Sequence, residues 1–174
     1  GAAPAAPGAA PAPGAAPAVP PLSAFPLPKV VTTDGRFIAY NNGTVLDTRM
    51  NLMWAARDSG SSMTWDEARI YCNNYRSGGY ANWRMPTFAE LITLYDANKT
   101  NPQLIIDLDL FTDYIYTVTS LINFSGCVYW TSYASGDKVA IFFFTNGEWY
   151  RTNRYAGSDN YVTVARVLPV RSAR

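Results

Sequence analysis

The chain has 174 residues, 14 basic and 13 acidic side chains and a formal net charge of +1, so it carries no long-range field of the kind nucleic-acid binders use. It contains no histidine, which removes the commonest general base and metal ligand at neutral pH and argues against zinc and Ser-His chemistry. Hydrophobic residues make up 48% and aromatics 14%, against 16% charged, the balance of one strand- and loop-rich domain whose rings pack a core or meet a partner.

Residues 1–28 are nearly all Ala, Pro and Gly, with Pro recurring every few residues, a pattern that blocks both helix and sheet pairing. Gly1, Gly8 and Gly14 lack the every-third-residue spacing of a collagen triple helix. The reading is an extended tether over 1–28 and one domain over 29–174. The chain opens at Gly1 rather than at a methionine, as it would after removal of a signal peptide or anchor, so the missing leader does not point to a cytoplasmic home.

Phe37–Tyr40, Thr44–Thr48 and Leu52–Ala55 read as strands, with Asn42-Gly43 as a hairpin turn using positive backbone angles and Arg49-Met50-Asn51 announcing the third. A first helix starts at Thr64, which caps it while Glu67 reaches back in a capping box. Ala68, Tyr71, Cys72 and Tyr75 then form a buried stripe at helical spacing, and Gly78-Gly79 ends the helix. A second helix repeats the device with Thr87 and Glu90, followed by Leu91, Leu94 and Tyr95 on one face. Asn98 to Ser125 is irregular and reads as a mostly looped connection.

Strands return at Val128–Ser132, Val139–Phe144, Glu148–Arg151 and Tyr161–Val170, with Asn146-Gly147 as another hairpin turn. Val139–Phe144, the longest apolar run, suits a central strand covered on both faces and is far too short to span a membrane. Lys138, Arg151, Arg154, Arg166, Arg171 and Arg174 make the C-terminal part locally basic, and solvated charges account for that.

Cys72 and Cys127 allow a single intrachain pairing, which an oxidising compartment would permit; two buried thiols are the other reading. The bridge would close a loop of about 55 residues and stabilise by about 4 kcal/mol in the chain-entropy model.

Asp107, Asp109 and Asp113 form an acidic cluster, but a calcium ion needs more oxygen ligands and usually a glycine turn, so these read as solvated acids. Asn42-Gly-Thr44, Asn98-Lys-Thr100 and Asn123-Phe-Ser125 have the glycosylation pattern, which chance produces often. Trp83, Arg84 and Pro86 read as a structural staple, and Trp54, Trp65 and Trp130 as core.

Asn146 to Asn160 mixes aromatics, amides and two arginines in a turn-rich segment, a composition similar to that of antibody paratopes. The ligand-binding candidates are Trp149, Tyr150, Arg151, Arg154 and Tyr155, with rings stacking on sugar or peptide and arginines holding carboxylate or sulfate.

The order of these pieces resembles the Lcl C-terminal-like domain, named for the C-terminal domain of a collagen-like adhesin of Legionella. The marks are Gly43-Thr-Val-Leu-Asp47 with Leu52-Met-Trp54, Thr64-Trp-x-Glu-Ala68 with Tyr71-Cys72, and Gly78-Gly-Tyr-x-x-Trp-Arg-x-Pro86-Thr with Glu90-Leu91. Further along stand Tyr129-Trp-Thr-Ser132, Phe144-x-Asn-Gly147 and Leu168-Pro-Val-Arg171.

The resemblance implies an α+β, C-type-lectin-like fold, with two helices packed on a small twisted antiparallel sheet behind the extended tail. It also implies a bacterial secreted or surface location and ligand binding, including sulfated polysaccharides and trimer formation for the founding adhesin. Many relatives carry a second cysteine in the final strand, where this chain has Leu168-Pro169, so Cys72 must use Cys127 or stay free. The calcium-dependent sugar motifs of true lectins are absent, and the collagen repeats are replaced by the Ala-Pro tether.

The function these readings support is a secreted or surface-displayed, non-enzymatic recognition module that binds polysaccharide or a surface protein in adhesion, with no cofactor and no metal. The alternative is a structural subunit of an extracellular fibre or surface assembly, with residues 1–28 packing on neighbouring copies as a homo-oligomer or filament. An enzyme of the formylglycine-generating type needs two converging reactive thiols, whereas Cys72 lies on an apolar helix face.

Overall fold

A computed structural model describes residues 27–108, 111–154 and 165–174, with 102–108 and 111–113 described by their backbone alone. The tether, apart from its last two residues, lies outside the described residues.

Among the described residues there are ten strands in three antiparallel sheets and two short α-helices. The five-stranded sheet has the order β1-β2-β3-β4-β10, built from Val30–Asp34, Phe37–Tyr40, Thr44–Asp47, Leu52–Ala55 and Val170–Ser172. A hairpin pairs β5 (Thr100–Leu108) with β6 (Phe111–Tyr116). The third sheet has the order β7-β8-β9, from Val128–Ser135, Lys138–Phe143 and Trp149–Asn153.

This overturns the expected architecture of two helices on one small sheet. The first helix, α1, spans Trp65–Asn74, and the second, α2, only Phe88–Leu91 before tightening into a 3-10 turn at Ile92–Leu94. Both capping boxes form as expected, with Thr64 and Glu67 reciprocally bonded, and Thr87 and Glu90 likewise. Capping fixes where a helix starts but not how far it runs. The first helix stops before the glycine pair: the Tyr75 N–H turns back to Cys72 O, and Ser77–Gly79 form a separate 3-10 turn.

The segment from Asn98 to Ser125, expected as a loop, holds the β5–β6 hairpin, and β1 is a further strand that residue pattern alone does not announce. Of the strand expected over Tyr161–Val170, residues 161–164 lie outside the described residues, 165–169 carry only the bridge at Arg166, and β10 begins at Val170. The hairpin between β2 and β3 has a three-residue loop in which Gly43, at φ 78°, supplies the positive angle, so the turn needs only one such residue.

The long apolar strand β8 is central, as expected, because two hydrophobic clusters flank its sheet. Tyr129, Phe142 and Phe144 point into one, with Trp54, Trp83, Leu91 and Leu94. Val128, Trp130, Val139 and Ile141 point into the other, with Trp65, Ala68 and Cys72 of α1. Strand alternation therefore gives the third sheet two covered faces, one toward α2 and one toward α1.

Residues 165–168 tie the sheets together. Arg166 N–H donates to Val128 O at 2.9 Å and Trp130 N–H to Arg166 O at 2.8 Å, so this segment runs parallel along the outer edge of β7. The chain then exchanges bonds between Val170 and Arg84 and enters β10 beside β4.

Candidate functional site

The Trp83-Arg84-Met85-Pro86 corner is architecture, as its composition suggests. Trp83 is buried edge-on to Tyr75, with ring centroids 5.1 Å apart. Arg84 grips Glu90 through two prongs, at 2.8 and 2.5 Å, and Pro86 O accepts the Ser132 N–H at 2.7 Å. The corner thus joins β10, α2 and β7. Burial pushes the Glu90 carboxyl up, but the bonds from Arg84 and Thr87 outweigh it and hold the group below the usual carboxylate range.

The expected ligand residues fall on β9, which the register pairs with β8 as Phe142 with Trp149, Ile141 with Tyr150 and Ala140 with Arg151. A strand sends alternate side chains to opposite faces, so the candidates divide. Trp149 and Arg151 lie on the α2 side, where Trp149 meets Phe88 at 5.8 Å and the Arg151 guanidinium lies 5.2 Å from the Tyr133 ring centre and 5.6 Å from that of Trp149. Tyr150 lies on the other face, edge-on to Phe143 at 5.4 Å, with its hydroxyl donating to Glu148.

Arg154 also lies on the α1 side. It grips Asp66 with two nitrogens, the Nε bond being 2.9 Å, and its guanidinium sits 4.6 Å from the Trp65 ring centre. Its hydrogen bonds hold the Asp66 carboxyl below the ordinary range. Tyr155 is outside the described residues, as is the side-chain arrangement of Asp107, Asp109 and Asp113.

What the strand brings together on the α2 side is therefore a platform of Trp149, Arg151, Tyr133 and Phe88. Trp149 is 41% exposed. An arginine held between two rings is fixed in place yet keeps donors directed outward, a combination suited to a flat, hydroxylated or anionic ligand. Tyr133 and Phe88 were not legible as members, since only the place of β7 across β8 from β9 and the packing of α2 on the sheet bring them there.

On the α1 side a groove of about 360 Å³ opens between the Trp65, Arg69 and Asn73 stripe of the helix and the Arg84, Met85, Thr87 and Ser132 wall. Trp65 anchors the stripe by donating its indole N–H to Thr131 O at 2.9 Å. The spacing of Trp65, Arg69 and Asn73, each four residues on, was a readable signal for this face.

Cys72 is fully buried in the α1-side cluster, and that burial pushes its thiol up to about 12. Cys127, half-buried, packs against both clusters and so borders the one that holds Cys72, but no disulfide joins the two cysteines in this structure.

Residues 43–168 match the family model of the Lcl C-terminal domain. The chain belongs to the Lcl C-terminal domain family. No curated protein matches the chain. Membership in the Lcl C-terminal domain family marks the chain as an adhesin-like module and points to an extracellular or surface location. No helix among the described residues is long and apolar enough to cross a membrane. The residues that carried the resemblance serve the fold: Trp54, Ala68, Cys72, Trp83 and Leu91 are all buried.

Proposed function

We propose that the domain is a secreted or surface-displayed, non-enzymatic recognition module whose β9 platform binds an extended polysaccharide in adhesion. The observation that carries this reading is the Arg151 guanidinium held between Tyr133 and a partly exposed Trp149. The rings offer stacking faces and the arginine offers directional bonds to sugar oxygens or acid groups. Burial of Cys72, which pushes its thiol up to about 12, supports a binding module over thiol catalysis. A glycan array probed with the full chain and with Trp149→Ala and Arg151→Ala variants tests the reading: the native chain binds, and both variants lose at least tenfold. A chain that binds no glycan, or variants that bind as well as the native chain, would sink it.

A second reading, assembly into a fibre or surface layer, draws on the edge strand that directly succeeds the tether. In β1, Val30 is 57% and Val31 64% exposed. The unpaired backbone groups of an edge strand are a template for pairing with another chain, and exposed apolar side chains on it favour that pairing. Sizing with and without residues 1–28 decides it: an assembly that disappears with the tether favours this reading, and a monomer in both states rejects it.

A further inference from the structure

We infer that the groove beside α1 is a second recognition site, for the C-terminal end of a peptide carrying an apolar last side chain and a free carboxylate. It shares no lining residue with the platform of Trp149, Arg151, Tyr133 and Phe88.

The charges around the groove do not cancel. Arg84 is engaged by Glu90 and Arg154 by Asp66. Arg69, with a side chain 54% exposed, is left at the margin of an ion pair: it stands 4.0 Å from an Asp66 carboxylate that already accepts two bonds from Arg154. Among the described residues around the groove, three guanidiniums stand against two carboxylates, and Arg69 at the rim is the least tightly held of the three. A planar carboxylate is the anion a guanidinium fork fits best.

The other groups match the peptide unit that adjoins a C-terminal carboxylate. The Asn73 amide, one helical turn beyond Arg69, and the Ser132 hydroxyl on the facing wall are engaged by no other described residue. They can bond the N–H and C=O of a terminal peptide unit. Met85 and Trp65, both buried, make an apolar floor for one side chain. The volume suits a terminal dipeptide and lies at the small end of ligand pockets.

A sugar acid fits less well. Trp65 is only 6% exposed and has Arg154 4.6 Å from its ring centre, so it lacks the broad open face on which a pyranose stacks.

The test is an NMR titration of the full, isotope-labelled chain with acetyl-Ala-Leu and, separately, with its C-terminal amide. The acid should shift the Trp65 indole and the 69–73 and 132 amides and bind at least tenfold more tightly than the amide. In Arg69→Gln, a substitution on an exposed helix face, the acid should fall to the level of the amide, whereas Arg151→Ala, at a residue that does not line the groove, should leave the difference intact. Equal binding of acid and amide, absence of shifts at the groove, or stronger shifts there with glucuronate would each overturn the proposal. Because Arg151→Ala removes platform binding but not groove binding, failure of the polysaccharide reading is told apart from failure of this one.

Discussion

Glu90 receives both prongs of Arg84 and, on the same oxygen that takes one prong, the backbone N–H of Thr87 at 2.8 Å and its hydroxyl at 3.0 Å. One carboxylate thus starts α2 and closes the corner that joins it to β10 and β7. Glu90→Gln keeps the shape but weakens every charge-assisted bond, and should cost about 1–3 kcal/mol in urea unfolding.

The same carboxylate sets a pH dependence. Its folded pKa lies below the ordinary value, so the unfolded state binds the proton more readily. The stabilisation is fully present above the unfolded pKa, about 4.3, and is lost as pH falls through the folded value. Unfolding midpoints measured from pH 7 down to pH 3 should drop less steeply in Glu90→Gln than in the native chain; parallel curves would show that the group does not contribute.

Asp58 is buried and accepts bonds from Gly60 N–H at 2.8 Å, from Ser125 N–H and Oγ–H at 2.6 Å each, and from the Tyr129 hydroxyl. Burial, then the nearby Asp58, push the Tyr129 phenol well above its ordinary range, so it stays a donor. Tyr129→Phe should cost about 1–2 kcal/mol, and Asp58→Ala more, because it leaves several buried donors unpaired. Thermal unfolding of the two variants and their double mutant would show a coupled, non-additive pair.

Gly147 and Gly136 make a matched comparison. Both have positive φ, 74° and 60°, but a Cβ on Gly147 would come within 2.6 Å of the Tyr95 ring, whereas one on Gly136 would meet nothing. Gly136→Ala should cost about 1 kcal/mol from backbone strain alone, and Gly147→Ala clearly more. Equal losses in chemical denaturation would show that Tyr95 moves aside freely.

The Cys72 thiol, buried and pushed up to about 12, should resist alkylation at pH 8 in the folded, reduced chain. For the pairing with Cys127, protein made in an oxidising compartment should take up no alkylating reagent after denaturation unless reduced first. Labelling of both cysteines without reductant would rule the bridge out.

Local chemistry was the legible part of this fold. Both capping boxes, the inward face of Ala68 and Cys72, the central place of Val139–Phe144 and the staple at Arg84 arise from residue type and spacing, which act over a few residues. The sheet count did not, because β10 finds β4 across more than a hundred residues, and the partner of β5 is a strand of irregular pattern. Trp149 and Arg151 were identified by composition, but alternation along β9 separated them from Tyr150 and Arg154. The spacing of Arg69 and Asn73 was readable along α1, whereas Phe88, Tyr133 and Ser132 reach their sites only through the packing of α2 and the register of β7.

The course of residues 165–172 bears on when this domain can fold. These residues supply the outer partner of β7, the bridge to Arg84 and the last strand of the five-stranded sheet. Until they emerge from a ribosome or an export channel, two sheets have an open edge and the corner lacks its tie. Folding of this domain should therefore wait until residue 172 has emerged, and a chain stopped before residue 165 should lack the cooperative melt of the whole.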